Sequence, residues 1–175
     1  MIEPAAGTET DEALYGEERA AEEPTAQFCS FRLGAEWYGI PIARVREVVR
    51  VGQIAFLPSA PPHVAGIINL RGSIVSVTDP KRLFGLPPTP RTSQNRIVVI
   101  EHGAVETGLL LDEVGEVVTV PHSALEPPLV TFEPSQTDYI EHVCRRGDRL
   151  LAVLRAEKLL GPGAEEIDPE KPAEA

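Results

Sequence analysis

Residues 57–86 read LPSAPPHVAGIINLRGSIVSVTDPKRLFGL, and this stretch constrains the fold more than any other. Two apolar runs, residues 65–70 and 73–78, are separated by Arg71-Gly72 alone. So short a connection between extended runs specifies a tight antiparallel hairpin. A proline-rich connector precedes it at residues 57–62. Asp79-Pro80 follows, with Asp79 suited to cap a helix and Pro80 to its first position, so a short helix is expected to end near Gly85.

The flanks repeat this style. Residues 27–33 alternate, with Phe28, Ser30 and Arg32 on one face and Cys29, Phe31 and Leu33 on the other. Gly34-Ala35-Glu36 turns the chain and residues 37–40 return. In residues 41–49, Ile42, Val45 and Val49 fall at helical spacing, which predicts one or two helical turns before an extended 48–51. Further strands are expected at 96–101, 105–111 and within 112–120, where Gly115 marks a bulge or bend. Residues 87–95 read as a loop, and residues 121–129 as a loop or short helix. Residues 139–144 and 149–154 flank Arg146-Gly147-Asp148 as a third hairpin. Residues 156–160 read as a last helical turn stopped by Gly161-Pro162. About ten short strands with close-set turns predict an all-β barrel or sandwich architecture. The strand–long helix–strand rhythm of an α/β enzyme is missing.

Charge divides the chain. Its net charge is -11. Residues 1–26 hold eight acids and one arginine, and residues 162–175 hold five acids and one lysine. Residues 27–161 therefore carry fourteen charges of each sign. A neutral central body lacks the basic footprint that nucleic-acid binding needs. Both ends are expected to be disordered tails. Met1, Ile2, Leu14 and Tyr15 are the only large apolar residues of the first 26, too few to offset chain entropy. The N-terminus has no basic and apolar leader, and no apolar run approaches the ~20 residues that span a bilayer, so neither export nor direct membrane insertion is expected. Cys29 and Cys144 sit in apolar strand-like runs and read as buried free thiols. The expected location is the cytoplasm.

No chemistry-bearing motif emerges. His63, His102, His122 and His142 show no ligand spacing and read as loop or surface residues. Asp112, Glu113 and Glu116 form an acidic cluster expected to face solvent at a strand end. No phosphate loop, nucleophile elbow or nominated carboxylate pair is found. The expectation is a protein without catalysis, metal or cofactor, working through its surfaces.

The string from Ala65 to Val75, AGIINLRGSIV, with Asp79 and Phe84-Gly85-Leu86 behind it, resembles the signature of CheW-like domains, the coupling proteins of bacterial chemosensory arrays. FRLGAEWYGIPI at residues 31–42 resembles that family's opening hairpin, Val45-Arg46-Glu47-Val48 its VxEV segment, and residues 57–62 its proline connector. A looser match runs through residues 108–114 and 150–160, so the resemblance covers 27–161. It implies two five-stranded SH3-like β-barrels packed together, with short helices. It also implies a bridge between the regulatory domain of a CheA-type histidine kinase and the cytoplasmic tip of a chemoreceptor, recruited to arrays at the inner membrane.

The family's Glu and Arg positions fall on Glu47 and Arg71, whose charges suit pairing with each other or across an interface. Val45, Val48 and Ile54 beside them are candidate patch residues, with a core role as the competing reading. Gly66, Asn69 and Gly72 complete the candidate partner-binding set from the same motif. Two departures fall in the later strands: Arg155 stands where an acidic residue is usual, and Glu141-His142-Val143 where Gly-Val is usual. An accessory regulator on the same fold, binding a response regulator or a gliding or developmental protein, remains the alternative function.

Overall fold

Among the described residues, ten strands form two five-stranded, antiparallel-rich sheets, one built from the two ends of that range and one from its middle. The structure, a computed structural model, describes residues 23–88, 90–129 and 131–160. The two expected tails, and the Gly161-Pro162 stop, lie largely or wholly outside the described residues. The first barrel takes β1 (Thr25–Leu33), β2 (Glu36–Pro41), β8 (Glu113–Pro121), β9 (Ile140–Arg146) and β10 (Arg149–Leu154), in the order β8-β1-β2-β10-β9. The second takes β3 (Val45–Arg50), β4 (Val64–Leu70), β5 (Ser73–Thr78), β6 (Arg96–His102) and β7 (Val105–Leu111), in the order β3-β6-β7-β5-β4. These are the two SH3-like barrels that the sequence motif implies. The hairpins expected at Gly34, Arg71-Gly72 and Gly147-Asp148 all form. Asp79 caps the one-turn helix Pro80–Leu83, its carboxylate accepting from the Lys81 amide at 3.2 Å.

Three apolar clusters follow from strand alternation. Phe28, Val118, Val120, Cys144, Leu151 and Val153 fill the first barrel. Ile68, Val75, Val77, Ile97, Val99 and Leu110 fill the second. The largest cluster joins the two: Phe31, Leu33, Tyr38 and Ile40 from the first barrel meet Val98, Ile100, Leu109 and Leu111 from the second. Both faces of β1 are thus buried, one into its own barrel and one against the other barrel. Phe31, Tyr38, Phe84 and Tyr139 run as a chain of aromatic contacts with centroids 5.5–6.0 Å apart. Both cysteines are buried and free, and burial pushes each thiol above its usual range.

Three expectations are corrected. Of the one or two turns expected in residues 42–49, one forms, the 3₁₀ turn Ile42–Arg44, and the extended run starts at Val45 rather than at 48. Pairing with β6 sets a period of two that overrides the helical spacing of Ile42, Val45 and Val49. Asp112 does not face solvent. It is the single residue between β7 and β8, where the chain crosses between barrels, and it is buried. Its Oδ2 accepts from the Gly34 amide at 2.6 Å and lies 2.9 Å from Lys81 Nζ, itself buried. Glu116 does face solvent, and Glu113 is half-buried against Arg32. His102 is the exception to the loop-or-surface reading, since it ends β6 half-buried with its Nδ1 shielded, whereas His142, within β9, is a surface residue with its side chain 40% exposed.

Gly115 is a bulge, as expected. Cys29 pairs with Val117 and Phe31 with Val114, which leaves Gly115 and Glu116 opposite Ser30 alone. A Cβ at 115 would stand 2.6 Å from Ser30 Oγ and 2.7 Å from the Trp37 ring, so glycine is what lets these strands close.

Candidate partner-binding surface

The hairpin tip at Arg71-Gly72 organises one end of the second barrel. A two-residue turn whose twist matches its strands needs positive φ at both central residues. Gly72 adopts φ 87° freely, whereas Arg71 at φ 52° is the one described non-glycine residue in that region. Such a conformation costs on the order of 1 kcal/mol and persists where its surroundings hold it. Two contacts hold it here. Asn69 Oδ1 accepts from the Gly72 amide at 2.9 Å, and Arg71 Nη2 donates to Glu47 Oε2 at 2.8 Å.

Glu47 lies on β3, on the inward-leaning face with Val45 and Val49. A bulge between Val45 and Glu47 against β6 keeps it there. Its side chain is 17% exposed, against 77% for Arg71, so the pair is a shielded carboxylate under an open guanidinium. The contact ties β3, one end of the sheet order, to the hairpin of β4, the other end. The backbone does the same nearby, where Ala55 and Ile67 exchange hydrogen bonds of 2.8 and 2.9 Å. Together they close the barrel.

The expected site residues separate by environment. Glu47, Arg71, Asn69 and Gly72 gather at the tip. Val48 points outward and is exposed. Val45 is half-buried against the shared core and Ile54 against the second barrel's core, so most of their apolar surface is already used. Gly66 is buried, at φ 152°, and a Cβ there would sit 2.2 Å from the Ala55 carbonyl oxygen. It permits barrel closure and offers no side chain to a partner.

The motif-based reading missed a set of exposed apolar residues on the same barrel. Phe56 is 79% exposed and Ile74 65% exposed, with Leu57 also open. Ile74 carried a readable signal: Val75 and Val77 fix the inward phase of β5, which leaves Ile74 outward on the solvent face. Phe56 carried none, because its exposure follows from Ala55 being spent on the bridge to Ile67. Exposed large apolar groups around a polar tip are the usual make-up of a protein-binding patch.

Among the described residues, no three His, Cys, Asp or Glu side chains converge to hold a metal ion. No helix among them is long and apolar enough to cross a membrane. Arg155, one of the two departures from the motif, is half-buried beside the last helical turn, Ala156–Leu159. Its amide donates to the Tyr139 carbonyl, and its Nε finds no partner among the described residues.

Comparison with known proteins agrees with this geometry. A family model described as CheW-like domain matches residues 27–162. The chemotaxis protein CheW of Helicobacter pylori is 28% identical over 149 residues, covering 85% of this chain and 90% of that protein. The CheW of Treponema pallidum is 30% identical over 144 residues, covering 80% and 85%. The crystal structure of the scaffolding protein TtCheW from Thermoanaerobacter tengcongensis matches with a TM-score of 0.72 at 29% identity, over 82% of this chain and 93% of that one.

Proposed function

The chain belongs to the CheW-like domain family, and on that footing we propose that it is a non-enzymatic coupling protein of bacterial chemosensory signalling, bridging a CheA-type histidine kinase and a chemoreceptor tip in the cytoplasm. A coupling protein needs no reactive group. It needs stable patches on a rigid body, and two barrels locked by a shared core supply that body.

The observation that carries the reading is the Glu47–Arg71 pair. A guanidinium left 77% exposed over a shielded carboxylate contributes little to folding, about 0–1 kcal/mol. The same pair, desolvated under a partner, is worth far more, and losing one member there costs ~2–5 kcal/mol of affinity. On the same barrel, Val48, Phe56 and Ile74 leave apolar area exposed for partner contact.

Titrating the regulatory domain of the CheA-type kinase against Arg71→Ala and Glu47→Ala tests this. Both variants should melt close to the parent and lose about 30-fold or more in affinity. The reading fails if both unfold early while their folded fraction binds normally. Parent-like melts with no kinase binding even by the parent would favour the accessory-regulator alternative.

A further inference from the structure

A groove of about 740 Å³ opens on the first barrel, the barrel without the Glu47–Arg71 pair, between β8 and the β9–β10 hairpin. Trp37, Val118 and Leu151 give it an apolar lining, and Arg145, Arg146 and Arg149 stand around it. Gly115 keeps it open, since a Cβ there would press on the Trp37 ring. The Arg149 guanidinium lies over that ring, 4.6 Å from its centroid.

The arginines are only partly matched by acids. Arg146 donates to the Thr119 carbonyl at 3.4 Å and lies 3.9 Å from the exposed Glu116 carboxylate. Arg145 and Arg149 form no ion pair with any described carboxylate, although Asp148 also lines the groove. An aromatic surface with two guanidinium groups free of carboxylate partners among the described residues suits an acidic peptide that carries a bulky apolar residue.

The chain holds such a peptide within reach. Glu23 is anchored by Ser123 Oγ at 2.7 Å, and the Pro24 carbonyl accepts from the His122 amide at 3.0 Å. Glu23 and Pro24 are therefore held at the end of β8, the strand whose Val118 lines the groove. Within residues 1–22, Asp11-Glu12 and Glu17-Glu18 bracket Leu14-Tyr15. An extended chain from Glu23 carries Glu18 about 17 Å and Asp11 about 40 Å, ample for a site that starts three strand residues from Pro121. The C-terminal segment is a poorer match: residues 161–175 have Ile167 as their one large apolar residue and no aromatic.

We propose that residues 9–18 of this chain dock in the groove, with the carboxylates on Arg145 and Arg149 and Leu14-Tyr15 against Trp37. A tethered segment has an effective concentration in the millimolar range, so weak contacts suffice to fill the site. The docked segment covers the cationic face of the first barrel and leaves the Glu47–Arg71 end free.

Trp37 is the only tryptophan in the chain, so its fluorescence reports on this groove alone. The test uses the full chain and a variant carrying Asp11→Asn, Glu12→Gln, Glu17→Gln and Glu18→Gln. Acrylamide quenching is measured at about 20 mM and about 0.5 M salt, where screening lengths differ several-fold. The neutralised chain should lose about tenfold in docking equilibrium. Its low-salt quenching slope should be about twice the parent's and should not respond to salt, while the parent's rises on adding salt. Arg145→Ser should shift the parent toward the neutralised chain. A nitroxide on Gly16→Cys should broaden the amide signals of residues 145–149. Equal quenching of parent and neutralised chains at low salt would overturn the proposal. Broadening centred on His122, Leu125 and His142 instead would do so too, since these line a separate, mostly apolar groove. Broadening of an unlabelled chain mixed with a labelled one would show docking between molecules, and would equally refute it.

Discussion

Replacing Asp112 by alanine should be among the most damaging single changes in this chain, although the residue is polar and lies between two strands. Its carboxylate and the Lys81 ammonium are each 7% exposed and 2.9 Å apart. Removing the carboxylate leaves a buried cation without its counter-charge, which typically costs ~3–5 kcal/mol. The Gly34 amide also loses its 2.6 Å acceptor, worth about 1 kcal/mol. Arg32 cannot compensate, because it too is a cation, and the Glu113 carboxylate is already held at 3.2 Å by Arg32. The sum of about 4–6 kcal/mol is a large share of the ~5–15 kcal/mol that holds a domain together. For a folded body of this size it corresponds to a fall of roughly 12–20 °C in melting temperature. Thermal melts followed by circular dichroism measure it. A double variant, Asp112→Leu with Lys81→Met, separates the causes. With neither charge left to bury, it should recover most of the lost stability. The reasoning is refuted if Asp112→Ala melts within about 3 °C of the parent, or if the double variant is as unstable as the two single changes combined.

Other outcomes follow from the same geometry. Gly66→Ala should cost about 3 kcal/mol or more, because the new methyl meets a backbone oxygen at 2.2 Å and an Ile54 methyl at 2.7 Å; any loss of partner binding should track unfolding, as a melt and a titration on one sample would show. Tyr38 is pushed up to about 12, first by burial and then by the Glu36 carboxylate. The folded chain therefore holds that proton more tightly than the unfolded one, so its contribution is complete below pH 10 and is lost as pH rises toward 12. Denaturant unfolding across that window should show a decline that flattens in Tyr38→Phe. Removing residues 1–22 should leave affinity for the kinase regulatory domain within about twofold, since the pair proposed to contact it lies on the other barrel; a larger loss in the binding titration would give the segment a direct role.

Much of the local structure was legible in the sequence because local rules set it. Arg71-Gly72 between two apolar runs specified a hairpin, since two residues permit little else. Asp79-Pro80 specified a helix start, since one supplies the cap and the other the fixed φ. Alternation in residues 27–33 put Phe28 on one face and Phe31 and Leu33 on the other, though not that the two faces serve different clusters. The motif around Arg71 also located the tip of the candidate surface, including Glu47 twenty-four residues away, which no local rule would have paired with it.

Contacts between residues far apart in the chain decided the rest. Residues 45–50 became a strand because β6 was there to pair with them. Parallel pairing of β2 with β10 and of β5 with β7 joins segments whose partners no local pattern names. Gly66 looked like a motif residue of a binding surface, and the approach of Ala55 makes it a condition for closing the barrel. Asp112 read as solvated because acids at strand ends usually are. The chain buries it because only one residue separates the last strand of one barrel from the next strand of the other. A crossover that short must pass through the interface, and a carboxylate there is stable only with Lys81 and the Gly34 amide already in place.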